Sequence, residues 1–241
     1  AALADCKIDT VAQLVRDDDP WRAWRDPALL LGQTCGWPYV SALRDSVLPI
    51  ARFDFGLGTA KPGDYFSVFI APRGTARACS SPRELAPLLT DPATVIAVNA
   101  TDSQSGFRVL GECLEQPLEL PRRRQLLTGS HRESIRAVAQ GRAMLAAIDS
   151  VTWQIARAHE PAAREVAVVT RSVDVPGLPL IVARGLAGHR DMILAALATG
   201  LARLPEEIHE ILGLKGFVPA EDADYDVLLG RPFGDLRVAN G

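Results

Sequence analysis

Four short polar stretches carry the side chains best suited to chemistry: Gln33-Thr34-Cys35-Gly36-Trp37-Pro38-Tyr39, Asn99-Ala100-Thr101-Asp102-Ser103-Gln104-Ser105-Gly106, Thr128-Gly129-Ser130-His131-Arg132-Glu133 and Ile148-Asp149-Ser150-Val151-Thr152-Trp153. Each follows an apolar run and opens a helical pattern. A helix N-terminus presents unpaired N–H groups and the positive end of the helix dipole, so two such ends facing one cleft hold a small oxyanion without a cationic side chain. Ser and Thr hydroxyls add donors that rotate to suit a ligand, and His131 can donate from either ring nitrogen. Trp37 and Tyr39 combine an apolar wall with an N–H and an O–H. Pro38 suits a first helical turn, and Ser130 with Glu133 forms an S-x-x-E capping box. The candidate ligand-binding residues are Gln33, Thr34, Trp37, Tyr39, Asp102, Ser103, Gln104, Ser105, Thr128, Ser130, His131 and Asp149.

Every one of these signals also has a plain structural reading. Ser130, Asp102 and Asp149 suit N-caps, Cys35 suits a small buried hydrophobe, Trp37 and Trp153 suit the core, and His131 suits a solvated helix start. Templates for catalysis fit worse. The run Gln33-Thr34-Cys35-Gly36-Trp37 lacks the C-G-[SA]-C-[WY] pattern of thiol proteases. Asp102 stands where the G-x-S-x-G elbow requires Gly, and neither phosphate-loop nor dinucleotide fingerprint occurs. No catalytic residue, metal ligand or cofactor is expected. Cys6, Cys35, Cys79 and Cys113 show no C-x-x-C spacing, which disfavours a zinc knuckle or a redox dithiol and leaves their oxidation state open.

The elements that must position these turns alternate between branched apolar runs and helical patterns. Strands are expected over 28–32, 47–53, 65–71, 94–99, 125–128, 145–149, 165–170 and 180–183, and helices over 130–140 and 190–204. That alternation predicts an α/β fold with a parallel sheet covered by helices, whose ligands gather at the carboxyl ends of strands. Two extended runs into Pro or Gly, 65–72 and 175–179, read as crossings between two bodies. The expected organisation is a discontinuous first lobe, 1–72 plus 174–241, and a second lobe, 73–173. With 26 Lys and Arg against 29 acids and a net charge of −3, no basic face for nucleic acid or anionic lipid is expected. No apolar run approaches the ~20 residues that span a bilayer. The sequence begins Ala1-Ala2-Leu3 without an export signal in view.

In order along the chain, Leu29-Leu30-Leu31-Gly32-Gln33-Thr34-Cys35-Gly36-Trp37-Pro38, Tyr65-Phe66-Ser67-Val68, Asp102-Ser103-Gln104-Ser105-Gly106, Thr128-Gly129-Ser130-His131, Ala146-Ala147-Ile148-Asp149 and Pro176-Gly177-Leu178-Pro179 resemble the phosphate/phosphite/phosphonate-binding proteins of ABC-type importers. The resemblance implies a two-lobed, type 2 periplasmic-binding-protein-like fold that closes about a hinge on a small oxyanion, a phosphonate or phosphate ester, and does no chemistry on it. It places Ser103, Gln104, Ser105, Ser130 and His131 on the oxyanion, Tyr39 or Trp37 at the closing wall, and Asp149 at the ligand's organic end. It also implies an ABC permease partner, a monomer and a periplasmic location, with the cytoplasm left open. Two departures stand out. The family begins with a strand and helix that residues 1–15 are too few to supply, and Gln104 sits centrally in a turn that is richer in hydroxyls elsewhere in the family. Two other readings stay open: an enzyme on the same fold using Cys35 or His131, and a soluble sensor or orphan receptor.

Overall fold

The chain is seen in a computed structural model that describes residues 19–116, 118–230, 232–233 and 236–238. Cys6 and the expected shortage of a first strand and helix lie outside the described residues. Among the described residues, thirteen strands follow in chain order: β1 (Gly32–Gln33), β2 (Val47–Asp54), β3 (Asp64–Tyr65), β4 (Ser67–Pro72), β5 (Ile96–Val98), β6 (Leu118–Leu120), β7 (Gln125–Leu127), β8 (Leu145–Asp149), β9 (Val166–Arg171), β10 (Val175–Pro176), β11 (Pro179–Ala183), β12 (Gly216–Pro219) and β13 (Leu236–Val238). The helices are α1 (Pro20–Trp24), α2 (Gly36–Pro38), α3 (Ala86–Thr90), α4 (His131–Ala139), α5 (Ser150–His159), α6 (Arg190–Leu201) and α7 (Glu206–Leu212). None of them is long and apolar enough to cross a membrane.

Two sheets organise the molecule. One has the order β1-β11-β2-β12 and the other β7-β5-β8-β4-β9, with a two-stranded ribbon, β3 with β10, between them in sequence. The expectation of parallel sheets is corrected. The first sheet pairs antiparallel throughout, and in the second only β5 runs parallel to its neighbours β7 and β8. The reason lies in the chain path. β4 leaves the ribbon just after Tyr65 and β9 returns to it just before Val175, so these neighbours must run in opposite directions.

Residues 67–72, expected at the end of the first lobe, pair wholly within the five-stranded sheet, where β4 lies between β8 and β9. Successive residues of β4 face opposite sides. Val68 and Ile70 meet Ile135 and Val138 of α4, while Phe69 and Ala71 enter a second cluster with Val98 and Leu110. Burial on both faces is why this strand reads as a continuous apolar run. Each such side chain contributes about 1.5–3 kcal/mol when fully buried.

The Phe69 cluster also takes in Tyr39, Val47 and Ile181 from around the first sheet, joined by Tyr225, Leu228 and Phe233 of the C-terminal segment. An apolar seam therefore ties the two sheets together on one side. On the outer face of the first sheet, Ile193 of α6 packs with Ile50 and Val182.

Two expectations about elements need adjustment. The strand expected over 28–32 shrinks to Gly32–Gln33, because Asp26 draws Ala28 and Leu29 into a turn through its side chain and carbonyl. β12 was not expected, whereas α5 opens at the fourth polar stretch, directly after Asp149. The former is only Gly-Phe-Val-Pro, too short to show a period.

Candidate functional site

The carboxyl end of β5 passes into a tight turn that is rich in polar groups. The Ser103 amide donates to the Ala100 carbonyl, Ser103 Oγ accepts the Gly106 amide at 3.0 Å, and the Ser103 carbonyl accepts the amides of Phe107 and Arg108. Gly106 is required by close approach, since a Cβ there would lie 1.8 Å from Asn99 Oδ1 and 3.0 Å from His131 Cε1. From β4, two strands along the sheet, Ser67 Oγ donates to the Ser105 carbonyl at 2.9 Å. These bonds hold the turn while leaving its remaining side chains turned inward.

Those side chains converge with groups from four other elements. Ser105 Oγ and His131 Nε2 share a hydrogen bond of 2.9 Å. The Gln104 amide donates to Cys35 Sγ at 3.2 Å, bringing the segment before α2 onto the turn. Tyr65, at the end of β3, lies within electrostatic reach of Cys35 and Asp149, and its hydroxyl turns toward the Ser105 side chain without reaching hydrogen-bond geometry. Several polar atoms are buried here with no hydrogen-bond partner among the described residues: Tyr65 Oη, Gln104 Oε1 and Nε2, His131 Nδ1 and Asn99 Oδ1. Buried polar atoms are normally satisfied, and one that is not costs about 1–3 kcal/mol. Grouped in one place, they leave both donors and acceptors unengaged by the described residues.

Burial sets the ionisation of the cluster. It pushes the Tyr65 phenol well above its ordinary value, with the nearby Cys35 and Asp149 adding to the shift. It raises the Cys35 thiol although the amides of Gln104, Ser105 and Trp37 act the other way. A protonated thiol is a poor nucleophile, so this shift disfavours covalent catalysis at Cys35. Burial lowers the His131 pKa, against the pull of Asp149 and the Ala147 backbone, so the imidazole is held neutral.

Beside the cluster lies a cavity of about 190 Å³ lined by Gln33, Phe53, Phe55, Asp64, Tyr65, Asp149, Val151, Thr152 and Leu178. It joins strands of the first sheet to the start of α5. Gly63, at φ +75°, makes the turn that aims Asp64 and Tyr65, and a Cβ there would meet Val218 Cγ2 at 2.5 Å. Asp149, 6% exposed, caps α5 by accepting the Thr152 amide at 2.8 Å. Asp64 faces Arg52 at 3.5 Å, and Arg52 also holds Asp224 at 2.9 Å. The cavity therefore presents two carboxylates and aromatic walls, next to neutral donors.

The sequence-expected residues separate into distinct groups. Gln104, Ser105 and His131 meet in the cluster, Gln33 and Asp149 line the cavity, and Ser103 shapes the turn. The others have structural duties. Thr34 Oγ1 donates to the Cys35 carbonyl, and Thr128 Oγ1 bonds with Ser134 Oγ at 2.7 Å. Ser130 is exposed and accepts the Glu133 amide as the N-cap of α4. Trp37 lies under the Arg108 guanidinium at 4.2 Å. Tyr39 is fully buried, with its hydroxyl on Asp222 and its ring edge-on to Tyr225. Asp102 accepts from Trp21 Nε1 at 3.1 Å. Tyr65, Asp64, Phe53, Phe55 and Thr152 were missed. The Gly63-Asp64-Tyr65 run, a glycine opening a polar-aromatic strand start, was the available signal. Among the described residues no three His, Cys, Asp or Glu side chains are grouped to hold a metal ion.

Comparison with known proteins now bears on this geometry. Residues 25–225 match the family model of the ABC transporter phosphonate periplasmic substrate-binding protein. No curated protein matches the sequence. Among solved structures, PhnD1 from Prochlorococcus marinus in complex with methylphosphonate is similar at TM-score 0.69 and 16% identity, over 86% of this chain and 79% of that one. A binding protein component of an ABC phosphonate transporter from Pseudomonas aeruginosa is similar at TM-score 0.64 and 17% identity, over 85% and 68% of the two chains. A Xanthomonas citri protein bound to ATP is similar at TM-score 0.65 and 17% identity, over 97% and 88%. At such identities the likeness establishes the fold, a two-lobed periplasmic-binding-protein architecture.

Proposed function

The chain belongs to the phosphonate periplasmic substrate-binding family of ABC transporters, and we propose that its own ligand is a small phosphonate-like oxyanion held by Ser105, His131, Tyr65 and the Gln104 turn. The family role is that of a solute-binding receptor serving an importer in the periplasm, which makes an ABC permease the partner. In this reading the lobes are the two sheet-centred bodies, divided at the β3–β10 ribbon, so that β4 and β9 belong to the second. Ligand contacts from both lobes stabilise the closed form about that ribbon.

One observation carries the reading: a hydroxyl–imidazole pair and unpartnered buried polar atoms converge beside a cavity that opens onto Asp64 and Asp149. Donors of this kind contribute about 0.5–1.5 kcal/mol each, and about 1.5–3 kcal/mol when the acceptor is charged. Four or five together support affinity of about micromolar, roughly −8 kcal/mol. The carboxylates repel a bare dianion but attract a ligand that carries an ammonium group. An aminoalkyl phosphonate, with its phosphonate on the cluster and its amine toward Asp149, satisfies both ends.

Thermal unfolding tests this directly, because a ligand that binds only the folded state raises the melting temperature by mass action. Aminoethylphosphonate is expected to raise it more than inorganic phosphate or sulfate, and Asp149→Asn to abolish the difference between amine-bearing and simple phosphonates. No shift with any phosphonate would overturn the reading.

A further inference from the structure

The Gln104 side chain is 1% exposed, and neither Oε1 nor Nε2 has a partner among the described residues. A carboxamide offers an acceptor and donors together, whereas a fully ionised oxyanion offers acceptors alone. Such an ion can meet the Nε2 donors but leaves Oε1 unsatisfied. Other acceptors crowd the same turn. Cys35 Sγ takes the Gln104 amide, and the Asp149 charge acts on Cys35, Tyr65 and His131. The cations nearby are engaged: Arg52 with Asp64 and Asp224, and Arg108 over the Trp37 ring. A second negative charge on the guest would meet Asp149, and among the described residues the other cation by the cavity, Lys61, already acts on Asp64.

We propose that the site holds its oxyanion in the singly protonated form, the ligand's O–H donating to Gln104 Oε1, and that Gln104 is the residue that selects this form. The inference rests on the oxyanion site proposed above. It gives the central glutamine a role that a hydroxyl cannot fill in the same way, since a hydroxyl can turn to donate to whichever protonation state arrives.

The titratable groups facing the turn are Cys35 before α2, Tyr65 of β3, His131 of α4 and Asp149 at the end of β8, with Asp64 across the cavity. Burial raises the first two and lowers His131, so each shift favours the neutral form. Burial also raises Asp64, beside Arg52, which makes Asp64→Asn the necessary control.

The test is calorimetric titration with methylphosphonate one pH unit below and one above the ligand's second ionisation. If only the monoanion binds, the wild-type apparent affinity falls about tenfold across that interval, in proportion to the competent fraction. Asp64→Asn is expected to show the same fall. Gln104→Ser is expected to lose it, as is Gln104→Met, which keeps the volume without the hydrogen bonds. Wild-type affinity that is level or rises across the interval overturns the proposal while leaving the oxyanion site standing. So does an undiminished fall in both Gln104 variants, or its disappearance in Asp64→Asn. Absence of methylphosphonate binding to the wild type at both pH values overturns the oxyanion site itself, and this inference with it.

Discussion

The turns that follow β5 and β7 lie side by side on one sheet, and both are dense in hydroxyl groups, yet they end in opposite states. After β7, Thr128 Oγ1 bonds Ser134 and Ser130 Oγ accepts the Glu133 amide, so the nine-residue helix α4 consumes the hydroxyls in starting itself. After β5 only Ser103 serves the turn, and Gln104, Tyr65 and His131 keep buried atoms without partners among the described residues. Hydroxyl density therefore does not mark a binding site. In the proposed reading, the mark is the donors and acceptors that remain once local structure has taken its share.

The largest effect that would sharpen this contrast concerns one carboxylate. Glu112, in the 3-10 segment that follows the β5 turn, accepts the Val173 amide with Oε2 while its buried Oε1 has no partner among the described residues, and burial raises its pKa to about 7. A folded pKa above the unfolded value stabilises the protein at low pH, and that stability is lost as pH rises from about 4.5 through about 7. The loss is on the order of 3 kcal/mol. Denaturant melts across this range should show Glu112→Gln abolishing the dependence; an unchanged profile would mean that the carboxyl is well solvated.

Next in size is His131→Ala, which removes the imidazole bonded to Ser105. It should weaken phosphonate binding about ten- to hundredfold, the range expected for a hydrogen bond to a charged acceptor. Measured affinity within threefold of wild type would take His131 out of the site.

The smallest effect lies on the α4 side. Glu160 is held by Arg132 at 2.5 Å and Arg136 at 3.0 Å, and these bonds bring its pKa down to about 2. Here the folded pKa is depressed, so the contribution is present above about 4.5 and fades as pH falls toward 2. Glu160→Gln should leave ligand affinity unchanged and lower the melting temperature modestly at neutral pH, less so in acid. A loss that grows in acid would contradict the ion-pair account.

The sequence made some of this legible and hid the rest for physical reasons. Strands buried on both faces, such as β4 and β8, announce themselves as apolar runs, and the S-x-x-E box located the start of α4 to the residue. The antiparallel pairing of β4 with β8 and β9 was hidden because direction depends on where the chain enters the ribbon, which no local period records. In the site, Ser105, Gln104 and His131 stood out by type. Tyr65 did not, since an aromatic at a strand start reads as core until the partnerless hydroxyl is seen. Tyr39 was drawn toward the pocket by its position after a polar turn. It packs instead into the apolar seam, because Tyr225 and Asp222, nearly two hundred residues away, supply its partners.

The contrast between the two turns is tested most directly by titrating methylphosphonate calorimetrically into the wild type, Ser105→Ala and Ser130→Ala. Ser105→Ala should weaken binding about tenfold or more. Ser130→Ala should cost about 1 kcal/mol of folding stability through the lost cap, with affinity unchanged within about twofold. Equal losses of affinity in both variants, or a loss confined to Ser130→Ala, would contradict the account and return the oxyanion to the α4 N-terminus.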